Sequence, residues 1–258
     1  MTITQDSSAP LVVVVGATGR QGGSVVNALS ESDKAYRIRA LTRDASKPAA
    51  TALAERGIAI FAVTIVVENK EKVFEAFEGG DYAFLVTDFF AHMDVNRETA
   101  EGKLLVDAAK AGGAKGIVWS GLPNATKLSG GKYTHVYQFD GKARVTEYGL
   151  TCGVPFVDVQ GGSYADNFLR PPAAPTKQAD GSFAIMWPVK PETLVPIVDI
   201  VADYGMFVQQ VLEMPVFPDG QEFLAYGENI PIADVATQLG QGACRALRGN
   251  LSLTEGIL

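Results

Sequence analysis

Hydrophobic and polar positions alternate between two periods along the first 160 residues. Apolar runs of strand length sit at Leu11–Val15, Tyr36–Thr42, Ile58–Val63, Tyr82–Thr87, Gly116–Ser120 and Pro155–Gln160, and helical stretches separate them. The clearest of these helices is Arg97–Ala111. Leu104, Leu105, Ala108 and Ala109 form its apolar stripe, and Gly112-Gly113 supplies a stop. Leu11–Val15 is apolar throughout, as suits a strand buried on both faces. Strands and helices in this alternation predict an α/β fold whose parallel sheet is wound by helices on both sides.

The alternation breaks after residue 160. Gly161-Gly162, Pro171-Pro172, Pro175 and Gly181 mark irregular chain. A short strand pair is expected to include Ser182–Pro188. Pro196–Leu212 carries Ile200, Tyr204, Phe207, Val208 and Val211 at helical spacing. Residues 1–160 are therefore expected to form one domain, and 161–258 a small lobe packed against it as one wall of a cleft.

The first strand runs directly into Gly16-Ala-Thr-Gly-Arg-Gln-Gly-Gly, followed by a helical pattern. Strand, glycine turn and helix in that order are the signature of a Rossmann-type dinucleotide site. Gly16 allows the tight turn, Gly19 lets backbone N–H groups approach a pyrophosphate, and Gly22 lets the helix pack close to the sheet. The phosphates then meet the positive end of the helix. Thr18, Arg20 and Gln21 lie in the same turn and are expected to share in cofactor binding. The bland alternative is a purely structural turn.

After the second strand stands Arg43, where an NAD-binding protein places an acid for the ribose 2′-hydroxyl. Asp44 follows one position later. Arg43 and Lys47 together suit a 2′-phosphate, which favours NADP(H) over NAD(H); otherwise both are ordinary solvated charges.

The 258 residues are enough for one large α/β domain with a modest appendage. Twenty-two basic residues against 29 acidic ones give a net charge of −7, and no Lys/Arg stripe is present to neutralise a phosphate backbone, so direct nucleic-acid binding is not expected. The first ten residues lack the basic flank and apolar core of a signal peptide. No apolar run approaches the ~20 residues of a membrane span. A cytoplasmic protein is expected, with the nucleus as an alternative for a regulator. Cys152 and Cys244 have neither metal-ligand spacing nor a close His partner in sequence, so no metal site is expected.

Several side chains are candidates for chemistry. Thr87 and Asp88 close the fourth strand and Ser120 the fifth, and both loops open toward the nicotinamide end of a dinucleotide lying across the sheet. Ser120 can hydrogen-bond a substrate carbonyl or satisfy nearby backbone. Lys142 stands in Gln138-Phe-Asp-Gly-Lys at the start of a helix. There an ammonium can hold the nicotinamide ribose hydroxyls, or give a proton to an oxygen that gains charge when a carbonyl is reduced. A solvated surface lysine is the alternative. Reductases of the short-chain class pair a Tyr with a Lys one helical turn later. Here Gln138 takes the Tyr position, leaving Tyr133, His135 and Tyr137 as loop candidates for proton donation, with His92 the other histidine. Tyr164 and Asn167, after the sixth strand, fall where substrate would meet the lobe, and packing of the lobe is their alternative role.

Taken together, the segments Gly16–Val25, Leu41–Asp44, Phe84–Asp88, Gly102–Ala109, Val118–Asn124, Phe139–Lys142 and Gly149–Phe168 resemble the NmrA-like group of atypical short-chain dehydrogenases, relatives of isoflavone and pinoresinol reductases. The similarity runs over about residues 10–230. It implies that Gly16, Gly19, Gly22 and Arg43 hold NADP(H), and that Lys142 matches the catalytic lysine of the plant-type reductases. Two departures stand out. Ile65-Val66 replaces the Gly-Asp usual near the adenine, and from about Gly240 the chain no longer looks like the family, so the lobe is expected to be short. The family holds both reductases of small aromatic or polyketide-like molecules, often in secondary metabolism, and non-catalytic redox sensors that bind a protein partner. The resemblance thus implies a reductase, with the sensor as the alternative.

Overall fold

The computed structural model describes residues 3–170, 174–177, 179, 183–185, 187, 189–240 and 254–255. Cys244, Pro171-Pro172, Gly181, Ser182 and Pro188 lie outside the described residues, as does nearly all of the segment after Gly240. Among the described residues no helix is long and apolar enough to cross a membrane.

In chain order the elements are β1 (Leu11–Val14), α1 (Arg20–Glu31), β2 (Arg37–Thr42), α2 (Pro48–Glu55), β3 (Ala59–Ala62), α3 (Lys70–Phe77), β4 (Tyr82–Leu85), α4 (Val95–Ala111), β5 (Gly116–Trp119), α5 (Ala125–Leu128), α6 (Tyr137–Gly149) and β6 (Phe156–Gly161). After them come β7 (Ser163–Tyr164), β8 (Thr176–Lys177), β9 (Phe183–Ala184), β10 (Leu194–Val198), α7 (Tyr204–Glu213), β11 (Glu222–Ala225), β12 (Glu228–Pro231), α8 (Ile232–Gly240) and β13 (Thr254–Glu255). All six strands expected before residue 160 are present, with ends shifted by a residue or two.

The main sheet runs β13-β11-β6-β5-β4-β1-β2-β3. Every pairing from β11 to β3 is parallel, and β13 is antiparallel at the edge. The strand order reverses between β1 and β4, which opens a crevice at the carboxyl ends of those strands. Alternate residues of β1, with Val15 just beyond it, feed two cores: Val12 and Val14 pack with Val25, Leu29, Tyr204 and Phe207 on one face, and Val13 and Val15 with Phe77, Leu105 and Trp119 on the other. The apolar run at the first strand follows from this double burial.

Two expectations are corrected. Pro196–Leu212 is not one helix. Its first part belongs to β10, with Val195, Ile197 and Val198 buried, and Asp199 then accepts backbone N–H bonds from Val201 and Ala202 to turn the chain into α7. Pro196 has no N–H to give inside a helix. Nor does a division at residue 160 follow the packing. β11 pairs with β6 in the main sheet, and α7 lies on α1, where Gly205 N–H donates to Ser24 Oγ at 2.8 Å. What stands apart is a second sheet, β12-β10-β7, with its own core of Phe168, Val195, Ile197, Ile230, Ile232 and Val235. Of the strand expected over Ser182–Pro188, Phe183–Ala184 pairs antiparallel with Thr176–Lys177.

Candidate functional site

A cavity of about 1280 Å³ lies between the carboxyl ends of the main-sheet strands and the second sheet. Its floor is the glycine turn. Gly16 sits at φ 64°, in the left-handed region that glycine tolerates, and its carbonyl accepts from Gly19 N–H at 2.8 Å. A Cβ on Gly22 would stand 2.3 Å from Gly16 O, so only glycine permits this closeness of turn and helix. Among the described residues no side chain caps the N-terminus of α1, and no acidic residue lies in its first turn, so its positive end faces the cavity without a counter-charge inside the helix. This cradle suits a pyrophosphate.

Thr18 and Thr42 hydroxyls lie 3.2 Å apart and tie the turn to the end of β2. Arg43 and Lys47 line the same end of the cavity. Asp44 turns away: its Oδ1 accepts from Ser46 N–H at 2.9 Å and Ser46 Oγ at 2.6 Å, and these bonds hold its carboxyl below the usual range. The acid beside Arg43 is thereby committed to its own loop. Ile65 and Val66 line the cavity beyond β3.

Arg20, first residue of α1, crosses the cavity mouth. Its Nη1 lies 2.9 Å from each carboxylate oxygen of Asp166, and its guanidinium stands 5.1 Å from the centre of the Tyr164 ring. Burial pushes the Tyr164 hydroxyl up to about 12, opposed by Arg20 and aided by Asp166. Gln21 Nε2 donates to Ser120 Oγ at 2.7 Å, which joins a residue expected at the cofactor to one expected at the substrate. Tyr164 and Asn167 also line the cavity.

Lys142 projects from α6 onto the cavity wall. Its Nζ donates to Thr87 O at 3.0 Å and Thr87 Oγ1 at 2.9 Å, pairs with Glu98 Oε1 at 3.1 Å, and stands 5.4 Å from the Trp119 ring centre. Thr87 Oγ1 in turn donates to Glu98 Oε1 at 2.8 Å. Burial lowers the Lys142 pKa below the ordinary lysine range; Glu98, then Asp88 and Asp158, hold the charge against it.

His135 and Tyr137 are corrected. They bond to one another, with Nδ1 2.6 Å from the phenol oxygen, and both are exposed and outside the cavity wall. Helix α6 begins at Tyr137, and at 3.6 residues per turn five residues place it well around the helix from Lys142. Gln138, one turn before Lys142, does line the cavity. His92 reaches the wall too, yet both ring nitrogens are used: Nδ1 accepts from Asp94 N–H at 3.1 Å, so Nε2 carries the hydrogen toward Glu101 Oε2, 3.2 Å away. Glu98 and Asp158 were not among the expected residues. Glu98, Glu101, Leu105 and Ala108 fall on one helical stripe, and carboxylates on an otherwise apolar stripe were the available signal. Asp158 lies inside the apolar β6, where a lone acid is the equivalent mark.

A parallel sheet in this order, with an uncapped glycine turn at the reversal and a cavity above it, defines a Rossmann-type α/β protein. The chain belongs to the NmrA-like family, whose model matches residues 8–247. It is similar to the NmrA-like family domain-containing oxidoreductase cpsB of Aspergillus campestris, 31% identical over 232 residues, covering 83% of this chain and 67% of that protein. The oxidoreductase malD of Malbranchea aurantiaca is 32% identical over 170 residues, 64% of this chain. The chain spans half the length of that relative. Among solved structures, NmrA, a negative transcriptional regulator crystallised in complex with NAD and with NADP, matches with a TM-score of 0.74 at 26% identity, over 88% of this chain and 69% of the other. The Citrobacter triphenylmethane reductase shares the fold, with a TM-score of 0.68 at 19% identity, over 91% of this chain and 76% of that one.

Proposed function

We propose that this protein is an NADP(H)-dependent oxidoreductase that reduces a carbonyl or enone on a small aromatic or polyketide-like molecule. One observation carries the reading: the bare amino end of α1 and Lys142 line a single cavity. The oxidoreductase names of the relatives support it, as do the NAD and NADP complexes of the regulator NmrA. Gly16, Gly19 and Gly22 would hold the pyrophosphate, with Thr18, Arg20 and Gln21 beside it, and Arg43 and Lys47 the 2′-phosphate. Bound NADPH supplies a hydride. Thr87 would fix the Lys142 ammonium, which offers positive charge to an oxygen that becomes negative and can give it a proton, leaving the neutral amine. Ser120, Tyr164 and Asn167 would position the substrate, and Phe89, Phe90 and Trp187 give the wall an apolar, aromatic character suited to a flat molecule. A place in secondary metabolism and in the cytoplasm goes with this reading.

The test is NADPH oxidation by purified protein over a panel of quinones and aromatic ketones, repeated with Lys142→Ala. Turnover that disappears in the variant while NADPH still binds supports the reading. Unchanged turnover removes Lys142 from the mechanism.

A second reading, a redox sensor acting on a protein partner, is favoured by Gln138. Its amide cannot donate a proton as a tyrosine can, and the regulator NmrA is a structural neighbour. No turnover on any panel member, together with unequal affinities for NADP⁺ and NADPH, would select it.

A further inference from the structure

The face shared by α4 and α6 is built for closeness. Gly102 of α4 lies against Val145, where a Cβ would meet Val145 Cγ2 at 2.4 Å. Gly141 of α6 lies against Glu98, where a Cβ would meet Glu98 Oε2 at 2.5 Å. Two glycines on facing helices thus let a carboxylate enter the interface beside Lys142, the residue after Gly141. Glu98 is completely buried. Its Oε1 takes the bonds from Thr87 and Lys142, while Oε2 has no hydrogen-bond partner among the described residues. Such a group is costly to bury and demands an explanation. Asp94 caps α4 through Asn96 and Arg97 N–H groups, which leaves Glu98 in a first turn whose dipole favours an acid.

We propose that Glu98 is a positioning residue: from the buried face of α4 it sets where the Lys142 ammonium stands on the cavity wall and holds its charge there. The groups facing Lys142 are Glu98 from α4, Thr87 and Asp88 from the loop after β4, Trp119 from β5 and Asp158 from β6. Glu98 is the one that makes an ion pair with Nζ; Asp88 and Asp158 act at longer range. Because Nζ is desolvated, removing the paired carboxylate leaves the charged form poorly supported. The consequence for turnover rests on the reductase reading, but the consequence for the amine does not.

The experiment measures the pH dependence of Lys142 acetylation by acetic anhydride, with the modified site located by mass spectrometry, in the wild type, Glu98→Gln and Glu98→Asp. The glutamine keeps shape and removes charge. Its midpoint is expected to fall by at least about one pH unit, a tenfold loss of ammonium at a given pH. Aspartate keeps the charge at a shorter reach and is expected to fall between. In the NADPH assay the alkaline limb of kcat moves with the midpoint, while the affinity for NADPH stays as in wild type. An unmoved midpoint in folded Glu98→Gln overturns the proposal. Should that variant fail to fold, an unmoved midpoint in Glu98→Asp does the same. A wild type without turnover would defeat the reductase reading and leave the labelling result standing.

Discussion

Arg20 and Asp166 form an ion pair across the cavity mouth, Nη1 lying 2.9 Å from both carboxylate oxygens. The pair joins the glycine turn to the segment after β7. Both side chains keep some solvent access, 43% and 27%, so the bond is a weak one. The guanidinium held there is also the cation nearest in sequence to the expected pyrophosphate cradle.

On the proposed reading, Asp166 competes with the dinucleotide for Arg20. Asp166→Asn is expected to tighten NADPH binding by roughly 2–5-fold, the worth of an exposed pair. Calorimetric titration at low and high salt checks this. The gain should shrink as salt rises, and equal affinity at low salt would show that Arg20 does not turn to the cofactor.

Gly205 fixes how closely α7 lies on α1. A Cβ there would stand 2.1 Å from Ser24 O, which is backbone and cannot swing aside. Gly205→Ala must push the helices apart and disturb the buried Tyr204, Phe207 and Val208. A loss of about 1–3 kcal/mol is expected in denaturant unfolding, the usual cost of overpacking. Residue 205 does not line the cavity, so NADPH affinity should persist in the folded variant.

Asp158 lies fully buried behind Ser120-Gly121, and burial, aided by Glu222, raises its carboxyl to about 7 from an ordinary value of 3.8. Bonds from Gln160, Thr146 and Gly121 N–H oppose the rise. The folded protein thus keeps a proton that the unfolded chain has released. Stability from this group is complete below about pH 4 and is lost as pH rises through about 7. Asp158→Asn has no proton to lose there, so its stability relative to wild type should climb across that window, by up to about 4 kcal/mol. Urea unfolding at a series of pH values measures the difference. Parallel profiles would contradict it.

How much the sequence revealed depended on the range of the interactions. β1 through β6 and α4 were legible because each carries its own period and its own stop. β7, β10 and β11 were not, because their partners lie far along the chain and two of them are very short or proline-bearing; Pro196 was absorbed into a helical pattern that begins only at Tyr204. At the cavity, the glycine turn could be placed from its motif and Lys142 from its position at a helix start. His135 and Tyr137 stand away from the cavity because nearness in sequence to Lys142 does not place them on its helical face. Glu98 was hidden because its value comes from a packing contact between two helices that spacing on one of them cannot show.

On the proposed reading the cavity above the glycine turn takes NADP(H), with Arg43 reading the 2′-phosphate. Calorimetric titration of the wild type with NADPH and with NADH is the decisive measurement. NADPH is expected to bind in the micromolar range, tighter than NADH by about tenfold or more, as one charge-assisted phosphate contact supplies, and Arg43→Ala is expected to lose that preference. No binding of either nucleotide, or equal binding of both, would contradict it.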